Sequence, residues 1–140
     1  MPAKRGNFLS IMTPSRRKRI AILGSTGSIG TQALQVIAQH PDRYEAYVLT
    51  AAHNVGLLIG QARRFPPEAV VIACEEHYPR LKEALSDLPV KVYAGRQALA
   101  QVVEEGPVDM VLTAMVGYAG LEPTMAALRA GKAIALANKE

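Results

Sequence analysis

Acidic residues are absent from the first 41 positions, cysteine occurs once, and no apolar run is long. A helix that crosses a bilayer needs about 20 consecutive apolar residues, so no membrane segment is expected. Cys74 alone builds neither a disulfide framework nor the paired-cysteine spacing of a zinc site. A reducing, cytoplasmic setting is the natural one for such a chain. The acid-free opening carries Lys4, Arg5, Arg16, Arg17, Lys18 and Arg19. That charge resembles a targeting peptide, but the segment is short and broken by Pro2, Gly6 and Pro14. Residues 1–18 therefore read as a basic, disordered tail. Taking those six cations from the net charge of +4 leaves the rest of the chain at −2, which argues against a nucleic-acid binder. No Ser-His-Asp set and no cluster of metal-binding side chains stands out. Neither catalytic residues nor metal ligands are expected within the chain. His40 and His77 read as capping or surface residues, and Cys74 as a small buried hydrophobe.

What is present is a regular alternation of short apolar runs and longer helical patterns. At 140 residues the chain can bury roughly two thirds of its unfolded surface, enough for one domain over residues 19–140. Ile20-Ala21-Ile22-Leu23 is apolar throughout and reads as a strand buried on both faces. Ser28 to Gln39 follows as a helix, with Ile29, Ala33, Val36 and Ile37 on one face. Further strands are read at 44–51, 69–73, 90–93, 108–113 and 133–136. Helices are read at 54–65, 75–88, 97–105 and 121–130, with Pro79 tolerable only in a first turn. Strands alternating with helices predict an α/β Rossmann-type, doubly wound parallel sheet of about six strands, with helices on both faces. The default strand order is 3-2-1-4-5-6.

Gly24-Ser25-Thr26-Gly27-Ser28-Ile29-Gly30 lies between the first strand and the first helix. That context makes a glycine turn a candidate dinucleotide site. Gly24 permits a tight exit from the strand, Gly27 lets backbone approach a pyrophosphate, and Gly30 allows close helix packing. Amides of the first helical turn attract phosphate, and Ser25, Thr26 and Ser28 are expected to add hydroxyl donors. The second strand runs into Ala52-His53-Asn54 with no carboxylate. An acid there would bind a ribose 2′-hydroxyl and repel a 2′-phosphate, so NADP is favoured over NAD. Asn54 suits a helix cap and a ligand contact equally. Small residues follow the fifth strand at 114–120, and Asn138, Lys139 and Glu140 follow the sixth. Both segments would meet the crevice outside the strand ends.

These residues resemble the 1-deoxy-D-xylulose 5-phosphate reductoisomerase family from about Arg19 to Glu140. The resemblance rests on Leu23 to Gly30, on His53-Asn54-Val55, on Val116-Gly117 with Ala119-Gly120-Leu121 and Pro123-Thr124, and on Leu136 to Glu140. It implies that Thr26, Gly27, Ser28 and Ile29 line the phosphates of NADPH. Ala52, His53 and Asn54 would lie near the adenosine end, Asn138 and Glu140 would touch the cofactor, and Lys139 the substrate. The family often has Gly-Lys-Asn or Gly-Gly-Asn where this chain has Ala52-His53-Asn54.

For an intact enzyme the resemblance implies rearrangement of 1-deoxy-D-xylulose 5-phosphate, a phosphorylated sugar, with a divalent metal (manganese or magnesium). NADPH-dependent reduction would then give 2-C-methyl-D-erythritol 4-phosphate for isoprenoid synthesis. A homodimer is the implied assembly. The family's metal carboxylates come after Glu140, so the chain is expected to be the cofactor domain and inactive alone. The rival readings are another oxidoreductase with an aspartate-semialdehyde- or homoserine-dehydrogenase-like start, and a freestanding NADP-binding module.

Overall fold

In the computed structural model, which describes residues 17–115 and 121–136, each apolar run forms a strand and each longer pattern a helix. The strands are β1 (Lys18–Leu23), β2 (Tyr44–Ala51), β3 (Ala69–Ile72), β4 (Lys91–Ala94), β5 (Met110–Thr113) and β6 (Ala133–Leu136). Between them lie α1 (Ser28–Gln39), α2 (Val55–Arg64), α3 (Tyr78–Ala84), α4 (Arg96–Val102) and α5 (Leu121–Arg129). All neighbouring strand pairs are parallel.

The strand order is β4-β3-β2-β1-β5-β6, not 3-2-1-4-5-6. β4 adds outside β3, pairing Ala69 with Lys91 and Ile72 with Ala94. The chain thus takes four strands in one direction before it crosses back to β5 beside β1. The physical reason lies in β4 itself. Lys91 and Tyr93 point to solvent while Val92 is buried. A central strand of a parallel sheet is covered on both faces and could not expose every second side chain. An alternating strand with a lysine belongs at an edge.

Right-handed crossovers place helices on opposite faces when the direction of travel reverses. Accordingly α1, α2 and α3 share one core, through Leu34, Leu58 and Leu81, with Ile22, Leu49 and Val70 of the sheet. α4 and α5 share the other, through Leu99 and Ala126, with Leu23, Val48 and Val111. The reversal falls between β1 and β5, where open α/β sheets present their ligand crevice.

α1 keeps its expected limits but not its expected face. Gly30, Leu34 and Ile37 are buried, whereas Val36 is 49% exposed and Ile29 half-buried. Leu34, set between the two stripes, takes the position facing the sheet, and the helix turns to follow it. The single helix expected over 75–88 is instead a 3-10 turn, Glu75–His77, followed by α3 with Pro79 in its first turn. α2 is capped by Asn54, whose Oδ1 accepts the Leu57 N–H at 3.1 Å. Arg63 ties the same helix to the end of α3, donating to Asp87 Oδ1 at 2.8 Å and to the Ala84 carbonyl at 3.2 Å.

The reassigned face of α1 gives a stability test. Leu34→Ala, at a buried position of α1, is expected to cost about 2–5 kcal/mol in urea unfolding. Val36→Ala is expected to stay within about 0.5 kcal/mol. A loss at Val36 as large as that at Leu34 would restore the original face.

Candidate functional site

The turn that leaves β1 is built on backbone contacts too close for side chains. Gly24 has φ +88°, and a Cβ there would sit 3.1 Å from the Ala114 carbonyl oxygen and 3.2 Å from Met115 Cγ. The end of β1 therefore lies directly against the end of β5, at the reversal point of the sheet. Gly30 is tighter still, since a Cβ would lie 2.5 Å from Ser25 Cα. The role expected of Gly30 was packing of the helix on the sheet. It packs α1 against the turn instead, and no side chain fits there.

Gly27 differs from both. It is the N-cap of α1, with extended backbone (φ −78°, ψ 178°) and no side-chain cap bond. A Cβ at Gly27 would meet only the Gly24 carbonyl oxygen, at an ordinary 3.7 Å. Among the described residues, nothing crowds a side chain at this position. The amides of the first turn of a helix lack intrahelical acceptors, and the helix dipole makes that end attractive to anions.

Ser25 does not supply a ligand-facing hydroxyl. It is fully buried and bonded inward. Its N–H donates to the Thr50 carbonyl at 2.8 Å. Its Oγ donates to Gln61 Oε1 at 2.7 Å, with the Thr50 carbonyl a second acceptor at 3.1 Å. Gln61 Nε2 returns a bond to the Ser25 carbonyl at 2.9 Å, and the Gly24 N–H donates to Thr50 Oγ1 at 3.0 Å. Burial excludes Ser25 as a donor to a ligand. Thr26 and Ile29 are half-buried and Ser28 exposed on the turn. Gln61 escaped the sequence reading. Its signal was position, since it falls on the buried stripe of α2 with Val55, Leu58 and Ala62. A polar residue on such a stripe has to find a partner.

Ala52, His53 and Asn54 all lie exposed after β2, with no carboxylate among them. The Asn54 Oδ1 is engaged as a cap, which realises one of its two expected roles. On the other side of the crevice, Thr113 at the end of β5 is hydrogen-bonded to Thr124 of α5 at 3.2 Å. Thr113 pairs with Leu136, so the chain leaves β6 at the level of the crevice. Asn138, Lys139 and Glu140, and the segment 116–120, lie outside the described residues.

Cys74 departs from expectation, because it is half-buried rather than enclosed. Its sulfur lies with one nitrogen each of His53 and His77, all within 4.8 Å of one another. The sequence reading found no such cluster. Cys74 and His77 are three residues apart, which was a local signal, but His53 is brought to them only by the pairing of β2 with β3.

The clasp behind the turn can be tested directly. Gln61→Leu keeps the volume, removes both bonds to Ser25 and leaves a buried carbonyl without its side-chain donor. It is expected to lower stability by about 1–3 kcal/mol, whereas Gly27→Ala should change it by no more than about 1 kcal/mol. Unchanged urea midpoints for Gln61→Leu would remove the clasp from the account.

Comparison with known proteins agrees with this geometry. Residues 20–140 match the family model for 1-deoxy-D-xylulose 5-phosphate reductoisomerase. The reductoisomerase of Bacteroides fragilis is 74% identical over 129 residues, covering 92% of this chain and 33% of its own length. That of Thermosynechococcus vestitus is 51% identical over 129 residues, covering 91% and 31%. The chain therefore spans about a third of the length of the curated relatives it matches. Among solved structures, the Zymomonas mobilis reductoisomerase in complex with NADPH superposes with a TM-score of 0.83 at 41% identity, over 88% of this chain and 32% of that one. A reductoisomerase with NADPH, fosmidomycin and magnesium gives 0.83 at 39% identity, over 86% and 30%. Because the family match takes in the sheet from Ile20 onward, glycine turn included, this chain belongs to the 1-deoxy-D-xylulose 5-phosphate reductoisomerase family.

Proposed function

We propose that this chain binds NADPH for a reductoisomerase that turns 1-deoxy-D-xylulose 5-phosphate into 2-C-methyl-D-erythritol 4-phosphate, on the route to isoprenoids. The observation that carries the reading is the open N-terminus of α1, where Gly27 leaves room that no atom of the described residues fills. That space fits a pyrophosphate, whose charge and acceptor oxygens suit amides at a helix start. Gly24, Thr26, Gly27, Ser28 and Ile29 bind and orient it, the hydroxyls of Thr26 and Ser28 adding donors. Ala52, His53 and Asn54 flank the adenosine end. With no carboxylate there, a 2′-phosphate meets no repulsion. Asn138 and Glu140 contact the cofactor, and Lys139 holds the substrate.

NADPH, when bound, supplies the hydride that reduces the rearranged substrate. This chain's part is to set the cofactor's position in the crevice, which is a large share of what a protein contributes to such chemistry. The divalent cation of the rearrangement, magnesium or manganese, is held by residues of the whole protein outside this stretch. The whole protein works as a cytoplasmic homodimer and has no nucleic-acid partner.

Two outcomes are expected. In calorimetric titration the chain binds NADPH more tightly than NADH. Gly27→Val weakens NADPH at least about tenfold, or about 1.4 kcal/mol, with an unchanged circular dichroism spectrum. Equal affinities for the two nucleotides would defeat the role given to the loop after β2. In the second test the chain is mixed with NADPH, magnesium or manganese, and 1-deoxy-D-xylulose 5-phosphate. Absorbance of the reduced nicotinamide is expected to stay constant, because the described residues hold no cluster of carboxylates to grip a hard cation. Substrate-dependent oxidation, absent in Gly27→Val, would mean that a catalytic centre lies within the chain.

A further inference from the structure

Beside the cofactor crevice, at the C-terminal ends of β2 and β3, three ligating side chains converge. We propose that His53, Cys74 and His77 form a binding site for a zinc-class divalent ion. The backbone sets up the convergence. β2 and β3 pair up to Ala51 and Ile72, and the ladder continues beyond them. The Ala73 N–H donates to the Ala51 carbonyl at 2.9 Å and the Cys74 N–H to the Ala52 carbonyl at 3.0 Å. Cys74 is thereby tied to the loop that carries His53. The chain then makes a single 3-10 turn, closed by the His77 N–H on the Cys74 carbonyl at 3.1 Å. That turn brings a His77 ring nitrogen to within 4.8 Å of the Cys74 sulfur. Both loops run straight into anchored helices, one capped by Asn54 and one begun at Pro79.

The donor set selects the ion. Two imidazoles and a thiolate form a borderline-soft set that favours zinc, cobalt, nickel or copper over magnesium and manganese. Donors around a tetrahedral zinc lie roughly 3.5 Å apart, and the three atoms here already lie within 4.8 Å. Rotation of the His53 side chain, exposed at the loop surface, closes the difference. Three protein ligands leave the fourth position to water. Cys74 and His77 are half-buried, so the ion is shielded on one side and enters from the other. This site is chemically distinct from an oxygen-lined site for magnesium, and of its three ligands only His53 is shared with the proposed cofactor contacts.

The test uses the untagged chain after chelator treatment. Zinc is titrated by calorimetry and cobalt(II) by absorption, in a large excess of magnesium. A single saturable equivalent of zinc is expected, with a thiolate-to-cobalt charge-transfer band and the visible absorption of tetrahedral cobalt. Cys74→Ser and His77→Ala should each weaken zinc more than about 100-fold, beyond what outer partners of a metal site contribute. Glu76→Gln, between the two ligands in sequence, should bind as the parent does. The cobalt band of the parent chain reports thiolate ligation even if a variant fails to fold. Absence of saturable zinc binding, absence of the charge-transfer band, or undiminished affinity in folded Cys74→Ser and His77→Ala would each overturn the site.

Discussion

Ser25 holds the mouth of the crevice in place from behind. Its amide, hydroxyl and carbonyl are all bonded to Thr50 or Gln61, so the turn after β1 is fastened to the end of β2 and to the middle of α2. A buried network of this kind is strong when every member is satisfied and costly when one is removed. The buried polar side chains among the described residues leave no nitrogen or oxygen unpartnered. With the turn fixed, Gly30 can bring α1 hard against it, and Gly24 can lie against Ala114. Among the described residues, the face at Gly27 is left open at the start of α1. Preorganised amides of this sort need no rearrangement to receive an anion, which is how a modest set of hydrogen bonds becomes an effective site.

Much of this was legible in the residues. Continuous apolar runs gave away the central strands because both faces of β1, β2 and β3 are covered by helices. The limits of α1 were readable because Gly27 precedes it and Pro41 follows it. The strand order was not read correctly, although Lys91-Val92-Tyr93 carried the alternation of an edge strand. The face of α1 was misjudged because Ile29, Ala33, Val36 and Ile37 also make a plausible stripe, and only packing against the sheet chooses Leu34. Ser25 looked like a donor to a ligand since a hydroxyl on a phosphate turn faces out as readily as in. Its inward direction depends on Gln61, 36 residues away. The approach of His53 to Cys74 is likewise a product of strand pairing, and no local pattern contains it.

The matched relatives are about three times as long as this chain. What lies here is a scaffold with an anion-ready helix end and a crevice floored by backbone. Glycines at 24, 27 and 30 serve three separate needs: a left-handed turn, an open approach and a close packing contact. The sixth strand ends level with the end of β5, Leu136 pairing with Thr113. Such a layout lets a cofactor be held by one part of a protein while another grips the substrate.

The order of the strands also has a consequence for the birth of the molecule. β1 is made first, yet it lies in the interior of the sheet, between β2 and β5. Its pairing with β2 needs only a few dozen residues of chain. Its other edge waits for Met110 to Thr113, and the Arg19 N–H finds the Asp109 carboxylate 90 residues further on. During synthesis at about 5–20 residues per second, one flank of a strand whose last four residues are apolar therefore stays unpaired for several seconds. Unpaired strand edges invite association with other chains, so the ribosome-bound intermediate is the point at which this fold is most exposed to aggregation. The return crossover that creates the crevice forms only after four strands have been made.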